Sequence, residues 1–251
     1  MHAEAFEFRA DILAIAAHRD DVEQTCGGTL LRMAARGLRT AILDLTQGEA
    51  GTRGTAADRA READEAARIL GVGWRQALDF PDGALANSLE NRIAIVRVLR
   101  RLRPRVVILP YWQARHPDHA ITATLGYEAC FLSGLKRIDS GVPTETRGPQ
   151  EAINVSWGGD PYRPFKIVYA SLYADVRPSF IVDITPFIEQ RHQALMATAR
   201  NTRTNLPAPA SSFPKRRFAN ALLPRRAIMA SSPASDMASP SSRKKSASST
   251  T

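Results

Sequence analysis

Two short polar clusters contain residue types that suit metal-assisted hydrolysis. They are His18-Arg-Asp-Asp21 and Arg115-His-Pro-Asp-His119. Neutral imidazole and carboxylate groups are the usual ligands of hydrolytic zinc, which takes three protein ligands and keeps one position for water. His18, Asp21 and one of the histidines His116 and His119 would complete such a set. The residues alone leave the choice between these two histidines open.

The other polar residues of the clusters fit the same chemistry. Asp20 has no apolar role at a strand end, and it could act as general base on a metal-bound water, whose pKa falls to about 7. The histidine that is not a ligand could donate to the oxyanion of a tetrahedral intermediate. Two structural alternatives compete, because an Asp-Asp pair is often a helix N-cap and a His-x-x-His pair often lies solvated on a helix. Taken together, the two clusters favour the metal site.

Buried strands and amphipathic helices alternate along the chain and would position these clusters. The predicted strands are 11–17, 40–45, 76–80, 105–110, 167–172 and 180–183, and the predicted helices are 22–36, 55–70, 89–102, 120–135 and 185–198. This order predicts an α/β, Rossmann-like, doubly wound fold with a mostly parallel sheet and helices on both faces. Ligands bind beyond the carboxyl ends of the strands in such sheets, and both clusters follow strands.

Charge divides the chain of 251 residues into two parts. Ten of the 34 Lys and Arg residues and one of the 25 Asp and Glu residues follow Met196, so the tail carries the net charge of +9 and the body is neutral. We therefore predict one globular domain over 1–196 and a basic, Ser/Ala/Pro-rich tail over 197–251 that we expect to be disordered. A basic tail makes nucleic-acid binding an alternative function, although nothing in the body supports it.

Composition argues against several other classes of protein. Two cysteines, Cys26 and Cys130, cannot form a disulfide-dense scaffold. No apolar run approaches the roughly 20 residues of a membrane span, and the first residues lack the positive charge of a signal peptide. We expect a cytoplasmic protein without membrane contact. Cys26, beside Gly27-Gly28, is predicted to be a small buried residue and not a nucleophile.

Four motifs occur in a fixed order in the body. They are His18-Arg-Asp-Asp-Val-Glu-Gln-Thr-Cys-Gly-Gly-Thr29, Thr46-Gln-Gly-Glu-Ala-Gly-Thr-Arg-Gly54, Leu78-Asp-Phe-Pro-Asp-Gly83 and Pro110-Tyr-Trp-Gln-Ala-Arg-His-Pro-Asp-His119. Together they resemble the LmbE-like, or PIG-L, zinc-dependent N-deacetylases. Within that family they are most similar to the bacillithiol-biosynthesis branch, which removes acetate from N-acetylglucosaminyl-malate. The resemblance implies the LmbE/PIG-L-like fold, a Zn²⁺ or other divalent cofactor such as Fe²⁺, a small amino-sugar conjugate as substrate, and a homo-oligomer.

The resemblance also implies roles for individual residues. His18, Asp21 and His119 would be the zinc ligands, Asp20 the general base, and His116 the group that polarises or protonates the reacting centre. Arg53 and Glu49, in the glycine-rich loop, would contact the substrate, with Arg53 holding its acidic aglycone. A planar guanidinium suits a carboxylate, and the neighbouring glycines let a ligand approach.

Two departures from the family pattern concern one turn and the C-terminal part. Arg19 stands where the family has proline, which would fix φ and stiffen the turn; we expect metal binding to survive. The match ends at about Ala197, where the sequence suggests a shifted reading frame.

From the resemblance of the four motifs we expect a deacetylase of N-acetylglucosaminyl-malate. The alternatives are a deacetylase of another N-acetylglucosamine conjugate (inositol or chito-oligosaccharide), an inactive deacetylase-like fold, and a nucleic-acid-binding protein.

Overall fold

A computed structural model describes residues 8–52, 54–138, 160–172 and 174–198, and the backbone of 228–231. The strands are β1 (Ile12–Ala16), β2 (Thr40–Thr46), β3 (Trp74–Phe80), β4 (Val106–Pro110), β5 (Lys166–Ser171), β6 (Phe180–Ile181) and β7 (Ile228–Ser231). The helices are α1 (Asp21–Thr25), α2 (Gly27–Ala34), α3 (Ala56–Leu70), α4 (Leu89–Leu102), α5 (Pro117–Leu132) and α6 (Ile188–Thr198), and a 3-10 turn at Thr185–Phe187 precedes α6. Among these described elements, no helix has the length and apolar character needed to cross a bilayer.

The sheet has the strand order β3-β2-β1-β4-β5-β7-β6. The first five strands are parallel, and β7 pairs antiparallel with both β5 and β6. The order in which the chain adds strands to the sheet reverses between β1 and β4: β2 and β3 lie on one side of β1, and β4 and β5 lie on the other. β1 and β4 are parallel neighbours, with Leu13 opposite Val107. Ligand sites of doubly wound folds form at this reversal, because the loops after the two strands diverge and leave a crevice. The predicted fold class is therefore confirmed, and the two polar clusters follow the two strands that flank the crevice.

Two apolar cores cover the two faces of the sheet. Alternate residues of β1 point to opposite faces, so Leu13 and Ile15 join the core that contains α4 and α5. Ile12 and Ala14 join the second core, which contains α1, α2, α3 and α6. Every residue of β1 and β2 is buried, as expected for parallel strands covered on both sides. Of the two strands that flank the crevice, β1 is buried throughout and β4 is buried at its three central residues.

Local signals in the sequence explain where the long helices begin and end. Thr55 and Asp58 form a reciprocal capping box at the start of α3, and Gly71, with a φ of 67°, ends that helix in the left-handed region. The predicted helix 22–36 is interrupted, because Cys26 has a φ of −129° and separates α1 from α2. A Cβ on Gly28 would lie 2.5 Å from Ile184, so this glycine allows close packing of the helix backbone.

Helix α5 begins at Pro117, earlier than the predicted residue 120, because proline is well tolerated in the first turn of a helix. This shift places His119 on the first turn of the helix and leaves His116 as its N-cap.

The predicted domain boundary falls near the end of α6, which extends to Thr198. Within the predicted tail, residues 228–231 form β7 and pair with the sheet. The rest of that tail after Thr198, and residues 139–159, lie outside the described residues. The division at residue 196 therefore stays a prediction.

Candidate active site

The ends of β1 and β4 bring three histidines into one cluster. The ring centroid of His18 lies 4.7 Å from that of His116 and 5.4 Å from that of His119, and the latter two are 5.2 Å apart. His18 follows β1, whereas the other two belong to the N-terminus of α5 after β4. The neighbouring strands thus bring together residues about 100 positions apart in the sequence, as the two-cluster prediction requires.

Two hydrogen bonds between His18 and Asp21 close the turn after β1. The backbone N–H of His18 donates to Asp21 Oδ2 at 2.9 Å, and the N–H of Asp21 donates to the carbonyl of His18 at 3.4 Å. Asp20, with φ −120° and ψ −1°, lies near the third-residue conformation of a type I turn. Arg19 is therefore the second residue of this turn, the position where proline is favoured.

The second cluster is positioned by the start of α5. His116 is the N-cap, and its Nδ1 accepts the backbone N–H of Asp118 at 3.2 Å. Because Nδ1 is an acceptor, the neutral ring carries its proton on Nε2. The ring of His116 can therefore donate a hydrogen bond from Nε2, and it lines the cleft described below.

Asp21 joins the two clusters. Its Oδ1 lies 3.1 Å from His119 Nε2, and its Oδ2 lies 3.4 Å from His18 Nδ1. A tetrahedral ion with ligand bonds of about 2.0–2.1 Å separates its ligands by about 3.4 Å. Each of these two nitrogen–oxygen distances is close to that ligand separation, and the groups are of the chemical types that zinc binds. Two groups of described residues have ligand atoms close enough together to share one metal ion, namely His18, His116 and His119, and His18, Asp82 and Asp118.

Two further carboxylates contact the other nitrogen of His18. Asp82 Oδ1 and Asp118 Oδ2 lie 3.1 and 3.3 Å from His18 Nε2. Metal-ligating histidines commonly donate their second N–H to a carboxylate, which fixes the ring and its tautomer. Neither contact with His18 was predicted from the sequence. Asp82 lies in Pro81-Asp-Gly83, which is typical of a turn, and Asp118 lies between the two candidate histidines. Gly83, at a φ of 76°, also donates its N–H to Asp118 Oδ2 at 2.8 Å.

The electrostatics of the cluster favour a cation. Burial alone would lower the pKa of His18, but Asp21, with help from Asp82 and Asp118, raises that pKa to about 9. Burial alone would raise the pKa of Asp21, but hydrogen bonds and attraction from His119 and His18 outweigh it and hold that pKa well below its usual range. The site therefore keeps Asp21 ionised, which is the form that binds a metal.

Asp20 is the N-cap residue of α1, yet its side chain makes no capping hydrogen bond. Helix capping, the structural alternative for this residue, therefore does not account for its carboxylate. Burial and the adjacent Asp21 raise the pKa of Asp20, against the attraction of Arg59 and His18. A carboxylate with a raised pKa is a better proton acceptor, which suits a general base.

A cleft of about 370 Å³ opens over the cluster. Three arginines are among its lining residues, and they are Arg19, Arg59 and Arg115. The guanidinium of Arg19 also donates to the side chain of Gln47. Glu49 lies at the edge of the glycine-rich loop, where its Oε1 accepts the N–H of Asp82 at 2.7 Å. Arg53 lies outside the described residues. The proposed substrate contacts of Glu49 and Arg53 stay predictions.

Both cysteines are buried and free of disulfides. Burial raises the pKa of each thiol, Cys26 and Cys130, to about 12. A thiol with such a pKa is protonated near neutral pH and is a poor nucleophile. This finding agrees with the prediction that Cys26 is a small core residue.

Several known proteins resemble this chain in sequence and in fold. Residues 13–130 match the PIG-L family, described as GlcNAc-PI de-N-acetylase. The diacetylchitobiose deacetylase of Thermococcus kodakarensis is 33% identical over 202 residues, which cover 76% of this chain and 70% of that protein. The 1D-myo-inositol 2-acetamido-2-deoxy-alpha-D-glucopyranoside deacetylase 1 of Saccharopolyspora erythraea is 33% identical over 149 residues, which cover 43% of this chain and 49% of that protein.

A solved structure is also similar to this chain in fold and in sequence. The conserved protein TT1542 from Thermus thermophilus has a TM-score of 0.69 and 37% sequence identity, over 94% of this chain and 100% of that one. The relatives from Thermococcus kodakarensis and Saccharopolyspora erythraea are both named as deacetylases, and their substrates are N-acetylglucosamine-type conjugates. The chain therefore belongs to the PIG-L family of metal-dependent N-deacetylases.

Proposed function

We propose that this protein is a zinc-dependent hydrolase that removes the N-acetyl group of N-acetylglucosaminyl-L-malate. His18, Asp21 and His119 are the proposed zinc ligands, Asp20 is the general base, and His116 is the acid or hydrogen-bond donor. The observation that carries the proposal is the spacing around Asp21, whose two oxygens lie 3.1 and 3.4 Å from nitrogens of the two histidines. Family membership supports the same chemistry.

Asp20 and His116 divide the proton transfers between them. A zinc ion, when bound, would act as a Lewis acid that makes water more acidic and polarises the acetamide carbonyl. The Asp20 carboxylate accepts a proton as the water oxygen attacks the carbonyl carbon. His116 Nε2–H donates to the carbonyl oxygen as negative charge develops there. When the C–N bond breaks, the proton held by Asp20 passes to the leaving amine, which yields acetate and a free amino sugar.

The arginines of the cleft favour an acidic aglycone. Arg19, Arg59 and Arg115 all line the cleft that contains the proposed ligands. A neutral sugar needs no cation for binding, whereas malate has carboxylates that guanidinium groups bind in a forked geometry. Arg53 and Glu49 are the proposed additional contacts in the glycine-rich loop. Inositol and chito-oligosaccharide conjugates, the substrate types of the named relatives, are the alternatives.

Acetate release from three substrates tests this proposal. The purified protein, depleted of metal and then reloaded with zinc or Fe²⁺, is assayed on N-acetylglucosaminyl-malate, its inositol counterpart and diacetylchitobiose. We expect the malate conjugate to have the highest kcat/KM and the metal-free protein to be inactive. A higher kcat/KM for either neutral substrate would overturn the proposal of an acidic aglycone. Turnover by the metal-free protein would overturn the proposed metal dependence.

Cellular location and assembly are further parts of the proposal. Two unpaired buried cysteines suit a reducing cytoplasm. Tyr127 and Phe131, one turn apart on α5, are 49% and 55% exposed, which supports association with another copy of the chain. Light scattering on the purified protein measures the assembly state, and a monomer at all concentrations would contradict this expectation.

A further inference from the structure

A buried ionic cluster lies directly beneath the turn that carries two of the proposed ligands. Its members are Arg75 of β3, Asp44 of β2 and Glu23 of α1, whose side chains are 4%, 2% and 0% exposed. The sequence reasoning did not identify this cluster, and the proposed reaction makes no direct use of it. Burial is costly for charged groups, and apolar residues often stabilise a core equally well. A role other than stability is therefore worth seeking.

Arg75 uses all five of its side-chain N–H groups. The Asp44 carboxylate accepts two of them, from Nε at 2.8 Å and from Nη2 at 3.2 Å. Nη1 donates to Glu23 Oε1 at 2.6 Å and to the carbonyl of Ala63 at 3.2 Å. Burial alone would lower the pKa of Arg75, but Asp44 and Glu23 outweigh it and raise that pKa, so the guanidinium keeps its charge. Its orientation is fixed from three directions.

The fifth N–H reaches the active site. Nη2 of Arg75 donates to the backbone carbonyl of Arg19 at 2.5 Å. That carbonyl belongs to the peptide that joins Arg19 to Asp20, between the proposed ligands His18 and Asp21. A hydrogen bond there fixes the plane of this peptide and, with it, the direction in which the flanking side chains leave the turn. Arg19 cannot supply this rigidity itself, because its φ is free where a proline would be fixed.

We propose that Arg75 is a positioning residue for the metal site. It holds the His18–Asp21 turn in the ligating conformation through the Arg19 carbonyl, and it takes over the stiffening that proline would supply. This inference rests on the proposed function, because it assumes that His18 and Asp21 bind the metal. Arg75 touches neither the substrate nor the reacting atoms.

Arg75→Lys tests the proposal, because lysine keeps the buried charge but cannot form the forked contacts and reach Arg19 at once. Changes in groups that orient metal ligands typically weaken metal affinity about 10–100-fold, so we expect the zinc Kd, measured by chelator competition, to rise within that range. We also expect kcat to fall with little change in KM. The matched control is Arg100→Lys, because Arg100 is also buried and donates to the carbonyls of Ser133, Leu135 and Ile138, away from the cleft.

Rescue separates positioning from general stability. Adding Arg19→Pro to Arg75→Lys restores φ restraint at the second position of the turn, so we expect the zinc Kd to return towards the wild-type value. Arg19 lines the cleft, so this comparison uses zinc affinity and not turnover. A zinc Kd in Arg75→Lys equal to that of Arg100→Lys would overturn the proposal, as would a weakened Kd that Arg19→Pro leaves unchanged.

Two further variants keep the test decisive. If Arg75→Lys does not fold, Asp44→Asn removes the charge that holds the guanidinium fork but retains an oxygen acceptor. We expect a smaller rise of the zinc Kd in that variant, and an unchanged Kd would count against the proposal. His18→Ala is the reference for the proposed function. If His18→Ala keeps the wild-type zinc Kd, the ligand assignment fails. If His18→Ala loses zinc but Arg75→Lys and Asp44→Asn keep the wild-type zinc Kd, the positioning role alone fails.

Discussion

The two segments that carry the proposed ligands are stabilised in different ways. The second segment, at the start of α5, is held by local chemistry, because His116 caps the helix and Pro117 occupies its first turn. The first segment, at the end of β1, closes its turn through Asp21 and relies on Arg75, which is 56 positions away from Arg19. The geometry of the first segment therefore depends on β3, which lies two strands away from β1 in the sheet, whereas the second is closed by its own cap and receives the N–H of Gly83 at Asp118.

This difference shows how a family motif can tolerate the loss of a proline. Proline restrains a turn from within, whereas a buried hydrogen bond to the same turn restrains it from outside. Substitutions in one segment or the other test this comparison.

Removing a proposed ligand from either segment should have the largest effect. Structural zinc with four protein ligands gains about 10–16 kcal/mol, or about 3 kcal/mol per ligand, so the loss of one of the three proposed ligands should weaken zinc binding about 150-fold. It should also abolish turnover, because the whole reaction depends on the Lewis acid. We expect His18→Ala and His119→Ala to lose stoichiometric zinc after dialysis, measured by elemental analysis, and to lose acetate release in parallel. If only one of the two variants loses zinc, the two segments do not share one metal.

Asp20→Asn should separate metal binding from catalysis in the first segment. Asparagine has nearly the same shape as aspartate but does not accept a proton at neutral pH. We expect kcat for acetate release to fall by about 10²–10⁴-fold, the usual contribution of a general base, with the zinc content unchanged. Full activity in this variant would rule out Asp20 as the base.

His116 combines a proposed catalytic role with a structural one in the second segment, and two variants can separate these roles. His116→Asn retains a good capping residue, whereas His116→Ala does not. We expect both variants to lose about 10²–10³-fold in kcat, as when an oxyanion donor is removed. Only His116→Ala should also lose about 1 kcal/mol in the free energy of unfolding, measured in urea. Equal stability of the two variants would contradict the capping role.

Adding a proline to the first segment, or removing the one in the second, should have the smallest effects, and these are on the free energy of unfolding. Arg19→Pro should stabilise the fold by about 0.4–1 kcal/mol, because it restricts the unfolded chain at a position suited to proline. Pro117→Ala should destabilise the fold by a similar amount for the converse reason. Thermal unfolding of the metal-free protein measures both changes. Destabilisation by Arg19→Pro would mean that the turn after β1 does not have the φ that proline requires.

The fold was predictable because its strands have continuous apolar runs. β1 and β2 are buried throughout and β4 at its three central residues, and the His-Asp clusters follow β1 and β4, so the sequence indicated a site beyond the carboxyl ends of these strands. The start of α5 was predicted three residues late, because the proline signal at Pro117 was not used. The break at Cys26 was not predicted, because the sequence 22–36 has the pattern of one continuous helix.

The support of the site was harder to predict than its proposed ligands. Asp82 and Asp118 contact His18 through pairings that only the folded chain creates. Arg75, Asp44 and Glu23 lie on three elements, and each would pass for an ordinary polar residue in the sequence. Their association depends on the order and register of β2 and β3, in which Asp44 lies opposite Ala77. A sequence pattern indicates chemistry more readily than it indicates the groups that hold that chemistry in place.

Helix α6 has a consequence for the order in which the site forms during synthesis. Every proposed ligand has been synthesised once residue 119 is added. Helix α6 begins only at Ile188, packs on α3, and donates from Arg191 to the carbonyl of Gln24 at 2.6 Å. A nascent chain therefore contains the complete ligand set long before it contains the helix that supports the segment after the first ligand turn. We expect zinc loading to follow the release of α6 from the ribosome, and zinc retention by chains ending at 187 and at 198 measures this dependence.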